Sequence, residues 1–113
     1  MQADALRATI FEIAGQLARG EYGALVQQCA RSRLTSEDMR NVIHDYGRKL
    51  VCPPGNAYDD LDAVPVKNAA LPTWSVRAPM WTEEEGRSDL TLDLTITVGS
   101  DKPVVEFDDL HVL

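Results

Sequence analysis

The sequence predicts an α+β fold in which three N-terminal helices pack on one face of a four-stranded antiparallel meander sheet, in a cone-like arrangement. Two observations support this prediction. Apolar residues recur at helical spacing over residues 4–50, whereas residues 90–98 alternate strictly between apolar and polar side chains. Helices followed by strands with short turns favour an antiparallel sheet with helices segregated to one side. The 113 residues suit one domain, 1–113, with helices over about 4–50 and the sheet over about 61–113.

Each of the three predicted helices has an apolar face. The first spans 4–19 and is followed by Gly20, a residue suited to a left-handed C-terminal cap. The second covers about 21–30, and the third begins at the capping pattern Thr35-Ser36-Glu37-Asp38. The residues expected to face inward are Leu6, Ile10, Ile13, Ala14, Leu17, Tyr22, Leu25, Val26, Cys29, Met39, Val42, Ile43, Tyr46 and Leu50.

The sheet is predicted to be organised around a hairpin over residues 74–98. Its second strand places Leu90, Leu92, Leu94, Ile96 and Val98 on the buried face and the residues between them on the wet face. Its first strand ends near Pro79, which cannot donate a ladder hydrogen bond and so indicates an edge or a bulge. The loop between the strands is predicted over 81–88.

Two further strands complete the predicted sheet. Residues 61–67 contain Pro65, which places that strand at an edge. A turn over 99–102 leads to the last strand, 104–113, in which the alternation changes phase between Phe107 and Leu110. A β-bulge at Asp108-Asp109 would restore the phase.

The formal net charge of −7 is unevenly distributed, with +1 in residues 1–50 and −8 in residues 51–113. This balance disfavours a nucleic-acid partner. It suits a basic protein partner, although solubility alone also explains it. No stretch has the length of a membrane span or the layout of a signal peptide, so we expect a cytoplasmic protein without a membrane partner. Cys29 and Cys52 are expected to be unpaired, small apolar residues, and no cofactor is expected.

Three segments resemble a family of small uncharacterised bacterial proteins. They are YGRKLVCPP (46–54), WSVRAPMWTEEEGRSDLTLDLT (74–95) and FDDLHVL (107–113), and the shared pattern is WTxEEGRSDLTL…DDLHVL. The resemblance implies a bacterial domain and transfers no catalytic residue. The segment LARGEYGALVQQ and the order of elements resemble the nuclear-transport-factor-2-like and cystatin-like groups, which implies a cone-shaped topology.

The first candidate site is the acidic turn beside Trp81. Its charged residues are Glu83, Glu84, Glu85, Arg87 and Asp89. An arginine flanked by carboxylates can form an ion pair that holds a turn. The functional alternative is an acidic surface with an aromatic anchor, which is typical of protein-binding sites. The carboxylate spacing matches no metal-binding loop, so no metal site is predicted.

Two weaker candidates follow. Asp109 and His111 share a strand face if no bulge separates them, so the carboxylate could orient the imidazole as a general base, or the two could form a structural surface pair. No nucleophile motif accompanies them. Tyr46, Tyr58, Trp74 and Trp81 would line a pocket between helix and sheet in a cone-shaped domain, or would belong to the core.

These features favour a protein-interaction module, such as an immunity-type protein that neutralises a basic partner. One alternative is a small-molecule binder or enzyme of the cone-shaped class, with its pocket between helix and sheet. Another is a homodimeric scaffold that pairs through the threonine-rich sheet face carrying Arg77 and Asp93.

Overall fold

A computed structural model describes residues 2–99 and 101–113 of the protein; Ser100, in the predicted turn over 99–102, lies outside these residues. The described chain forms three helices and six strands. In chain order they are α1 (Gln2–Ala18), α2 (Tyr22–Gln28), β1 (Arg31–Ser32), α3 (Ser36–Tyr46), β2 (Leu50–Val51), β3 (Asp62–Pro65), β4 (Thr73–Thr82), β5 (Gly86–Thr97) and β6 (Val104–Val112). No described helix has both the length and the apolar character needed to cross a membrane.

The helix ends follow the predicted capping chemistry. Gly20 has φ +76°, and the N–H of Glu21 donates to the carbonyl of Gln16 at 2.9 Å, which closes α1. Thr35 and Asp38 form the reciprocal capping box of α3. That helix ends earlier than predicted, because Gly47 takes a left-handed conformation with φ +75°.

The predicted four-stranded antiparallel meander is wrong. The sheet has six strands in the order β1-β6-β5-β4-β2, with β3 also paired to β4. It is mixed, because β1 pairs parallel to β6 through Arg31↔Glu106. Leu50, expected in the third helix, instead lies in β2, where it pairs with Thr82 of β4. Both unpredicted strands have two residues, too few for alternation to be visible in a sequence.

The predicted separation of a helical half from a sheet half is also wrong. Strands β1 and β2 lie at opposite edges of the sheet, and α3 connects them. Four strand spacings amount to about 19 Å. The 11 residues of α3 give a helix of about 16 Å. The helix is therefore fixed to both edges of the sheet rather than belonging to an independent helical layer.

The central hairpin and its alternation are confirmed. On β5, Leu90, Leu92, Leu94 and Ile96 are completely buried. They share one hydrophobic core with α1 residues such as Ile10 and Ile13. Val98, predicted inward, lies beyond β5 and is only partly buried. We call the opposite face of β3–β6, on which the polar residues of β5 lie, the outer face.

The predicted bulge in the last strand is confirmed. Asp93 pairs with Asp109 and Leu94 pairs with Phe107, so Asp108 is the extra residue. The bulge lets both Phe107 and Leu110 enter the core, at 0% and 2% exposure. Val112, which fits the inward phase of the sequence, is 55% exposed at the end of the strand.

Residues 78–80 of β4 have a free edge, because β2 pairs with β4 beyond them and β3 pairs with it before them. Pro79 has no N–H to leave unpaired, and its carbonyl accepts a hydrogen bond from the Tyr58 hydroxyl at 2.9 Å. Tyr58 is buried and packs edge-on against Phe11 of α1. The loop that carries Tyr58 therefore covers this edge.

Truncation of the buried row tests the alternation. We expect Leu94→Ala to lower the free energy of unfolding by about 2–5 kcal/mol, because it leaves a cavity in the core. Ser75→Ala, on the exposed face of β4, should change it by less than about 0.5 kcal/mol. Urea unfolding followed by circular dichroism measures both variants. Equal effects would contradict the assignment of faces.

Removal of the Tyr58 hydroxyl tests its hydrogen bond to the free edge of β4. Burial raises the pKa of Tyr58. A raised folded-state pKa gives stability that is complete below the unfolded value of about 10 and is lost as pH rises above it. Tyr58→Phe should lower stability at neutral pH by about 1–3 kcal/mol, because the Pro79 carbonyl loses its donor. It should also make the alkaline loss of stability shallower in urea unfolding measured at several pH values. A slope equal to that of the unmodified protein would contradict the buried phenol.

Candidate functional site

A row of charged residues crosses the outer face of the sheet. Asp62 pairs with Arg77, Arg77 with Asp93, and Asp93 with Asp109, on four successive strands. Residues paired in this way project from the same face of a sheet. The row therefore contains three carboxylates and one guanidinium, and His111 lies one pair further along, opposite Thr91.

Asp93 is the centre of this cluster. Its Oδ2 lies 2.8 Å from His111 Nε2, and its Oδ1 lies 3.5 Å from Arg77 Nε. The Asp93 side chain is 25% exposed and that of His111 is 31% exposed. The carboxylate that contacts the imidazole is therefore that of Asp93 on β5, and not that of Asp109 on the same strand as His111, which the sequence had suggested.

Asp109 and His111 share the outer face, because the bulge at Asp108 precedes both of them. Asp109 is exposed, and its Oδ1 accepts a hydrogen bond from the backbone N–H of Leu110 at 2.8 Å. Asp108 accepts a hydrogen bond from the hydroxyl of Thr95 at 2.7 Å. One ligand atom each from Asp93, Asp109 and His111 lie within 4.8 Å of one another.

No local pattern in the sequence indicates this set of three. Asp93 belongs to the polar phase of β5, but its partners lie on another strand. Their register depends on a bulge whose exact effect on pairing is not encoded in local spacing. Ligands that come together from two strands therefore leave no metal-binding spacing in the sequence.

The acidic turn, in contrast, is used to hold the fold together. Glu84 accepts a hydrogen bond from the backbone N–H of Lys49 at 3.0 Å. Glu85 accepts a hydrogen bond from the Tyr46 hydroxyl at 2.8 Å. The pKa of Tyr46 is raised mainly by burial and, to a smaller extent, by this contact with the Glu85 carboxylate. The turn residues Glu83–Glu85 thus connect the hairpin to the segment after α3.

The arginine in the turn motif has a different position from the one predicted. Among the described residues Arg87 is in no ion pair, whereas Glu83 approaches Lys49 at 3.8 Å. Gly86 allows the turn through φ +71°. The hydroxyl of Ser88 donates to the carbonyl of Met80 at 2.9 Å, where the β4–β5 register shifts. Asp89 is exposed, and its carbonyl accepts from the N–H of Leu113.

Of the four aromatic residues predicted to line one pocket, only Tyr58 and Trp81 come together, and both line the same groove. Tyr58 is in the core, and Tyr46 contacts the hairpin turn. Trp81 packs edge-on against Tyr58 and lines a groove of about 230 Å³ together with Arg77 and Arg87. Trp74 lies elsewhere, and its buried Nε1 has no hydrogen-bond partner among the described residues.

A groove of about 460 Å³ lies between α1 and the start of β6. It is lined by residues such as Thr9, Glu12 and Val105, and none of the four aromatic residues reaches it. The predicted aromatic pocket between helix and sheet is therefore not the arrangement observed.

Both cysteines are free, as expected, but only Cys29 is buried, whereas Cys52 is exposed.

Fold and site together define a small α+β protein with a curled mixed sheet and a charged cluster on its outer face. The chain belongs to a domain family of unknown function, DUF7668, whose family model matches residues 14–113. No curated protein and no solved structure matches the chain. The predicted membership of an uncharacterised family is thus confirmed, while bacterial origin and the cone-shaped topology stay predictions.

Truncations in the acidic turn test its structural role. Glu84→Ala should lower the free energy of unfolding by about 1–3 kcal/mol, because the N–H of Lys49 loses a charged acceptor. Glu83→Ala removes only an exposed ion pair and should cost less than about 1 kcal/mol. Both variants change the net charge equally, so chemical denaturation separates the hydrogen bond from the charge. A larger loss in Glu83→Ala would contradict the assigned contact.

Proposed function

We propose that this protein is an interaction module that binds a basic protein through the outer face of its sheet. An immunity-type protein in the bacterial cytoplasm, which neutralises a basic effector, is the setting that fits this role. The supporting observation is the excess of carboxylates on the face opposite the one that packs into the core with the helices.

Carboxylates outnumber arginines on the outer face. Its carboxylates are those of Asp62, Asp89, Asp93, Glu106, Asp108 and Asp109, and its arginines are Arg31, Arg77 and Arg87. A surface with one dominant sign raises the encounter rate with a partner of opposite sign and suppresses partners of like sign. Because each exposed ion pair contributes only about 0–1 kcal/mol, binding requires several of them together with an apolar anchor. Trp81, beside this face, would supply that anchor.

The position of the proposed surface differs from the acidic turn that the sequence suggested. Two of the turn carboxylates, Glu84 and Glu85, already accept hydrogen bonds within the chain. A partner would have to compete with those bonds. The carboxylates of Asp62 and Glu106 lie outside the hydrogen bonds described for this face and impose no such cost.

The same charge excess argues against the homodimeric alternative. Two identical acidic faces repel each other, and one arginine in the central row does not balance its three carboxylates. The small-molecule alternative is weakened because only two of the four candidate aromatic residues, Tyr58 and Trp81, line the same groove.

The proposal is tested by capturing partners on the immobilised protein, identifying the bound protein and measuring its dissociation constant at several salt concentrations. We expect a basic partner whose affinity falls steeply as salt increases. The double variant Asp62→Asn/Glu106→Gln should weaken that affinity at least about tenfold, since it removes two charges from the face.

The control Asp45→Asn/Glu12→Gln removes two exposed helical carboxylates and changes the net charge equally. It should leave the affinity within about twofold. An affinity independent of salt, or equal weakening by both double variants, would count against the outer face. Self-association in sedimentation, reduced by the first variant alone, would replace the proposal with the homodimer.

A further inference from the structure

We propose that Asp93, Asp109 and His111 form a binding site for one divalent transition-metal ion of the Zn²⁺ class. This inference is independent of the protein-binding role, because it concerns three side chains that the interaction test leaves unchanged. The donor set is one imidazole nitrogen and two carboxylate oxygens, contributed by two adjacent strands.

The distances suit a metal ion. Zn²⁺ lies about 2.0–2.2 Å from nitrogen and carboxylate ligands, so ligand atoms around one ion are separated by no more than about 4.4 Å. The three candidate atoms already lie within 4.8 Å of one another. Asp109 is exposed, so its side chain is free to rotate toward the other two ligands.

A second observation concerns Asp93 Oδ1, a buried atom that has no hydrogen-bond donor among the described residues. Arg77 Nε, at 3.5 Å, is too distant for a good hydrogen bond. Buried polar atoms without partners are uncommon in folded proteins and often indicate an unoccupied ion or water position. In addition, Asp93 and Asp109 are directly opposite each other, a pairing of like charges that destabilises a sheet.

Neighbouring groups leave one atom of Asp109 and one of His111 available to an ion. The N–H of Leu110 holds Oδ1 of Asp109, which leaves its Oδ2 available. His111 would give up its hydrogen bond to Asp93 and take the tautomer with its proton on Nδ1, so that the Nε2 lone pair faces the ion. Three protein ligands leave a fourth position open to solvent, because Asp109 is at the surface.

The donor types select the ion. Imidazole nitrogen suits Zn²⁺, Co²⁺ and Ni²⁺, whereas Mg²⁺ and Ca²⁺ prefer an all-oxygen environment. Arg77 opposes any cation here, since its guanidinium lies next to the same carboxylate. We therefore expect removal of the Arg77 charge to strengthen metal binding, an effect opposite to that of removing a ligand.

The test uses tag-free, full-length protein carrying Cys52→Ser, because Cys52 is the exposed thiol that could also bind Zn²⁺. Titration with Zn²⁺ by calorimetry, and with Co²⁺ by visible absorption, should show saturable binding of one ion per chain. An excess of Mg²⁺ should not compete. Asp109→Asn and His111→Gln should each weaken Zn²⁺ binding at least about tenfold, and Arg77→Gln should strengthen it.

The chain contains two histidines, which provides a matched control. His44 is on the exposed face of α3, and His44→Gln should leave Zn²⁺ binding unchanged. No saturable binding at millimolar Zn²⁺, undiminished binding in Asp109→Asn, or an equal loss in His44→Gln would overturn the proposal. If His111→Gln fails to fold by circular dichroism, Asp109→Asn carries the same test, because its side chain is exposed.

The two proposals fail separately. Asp62→Asn/Glu106→Gln should leave Zn²⁺ affinity within about threefold, because neither residue is a candidate ligand and only the surrounding charge changes. Partner affinity that is unchanged in this variant, with saturable Zn²⁺ binding intact, would therefore reject the interaction surface alone. Weakened partner affinity in this variant, with no saturable Zn²⁺ binding to the protein, would reject the metal site alone.

Discussion

The structure depends on the burial of one side of β5. Leu90, Leu92, Leu94 and Ile96 are fully buried against the helices, so every second residue of the strand is directed to the other face. Each of these side chains contributes about 1.5–3 kcal/mol by leaving water. A displacement of one residue would exchange the two faces completely. The same packing that stabilises the fold therefore also determines which polar residues meet on the outer face.

Departures from regular pairing then position those polar residues. The bulge at Asp108 allows Phe107 and Leu110 to be buried while Asp109 faces outward beside Asp93. The register shift in the hairpin is held by the Ser88 hydroxyl, and Gly86 permits the turn before it. Several residues of the motif that runs through this hairpin thus have structural roles. Its final segment, DDLHVL, supplies both the bulge and two members of the charged cluster.

The sequence predicted the features that depend on local patterns. The capping box of α3, the alternation of β5 and the bulge at Asp108 each leave a signal within a few residues. It did not predict features that depend on long-range pairing. Strands β1 and β2 are too short to show alternation, so the mixed sheet and the early end of α3 were missed. The contact between His111 and Asp93 was also missed, because it joins residues of two different strands that are far apart in the sequence.

The register that places Asp93 beside His111 can be measured directly in solution by nuclear Overhauser effects from the ring protons of His111. With only two histidines in the chain, the two sets of ring signals are separated by His44→Gln. We predict contacts from the His111 ring to Thr91 and Asp93, across the outer face of the sheet. Contacts to Leu90 or Leu92 instead would mean that β6 is shifted by one residue, and neither the acidic face nor the metal site would then exist.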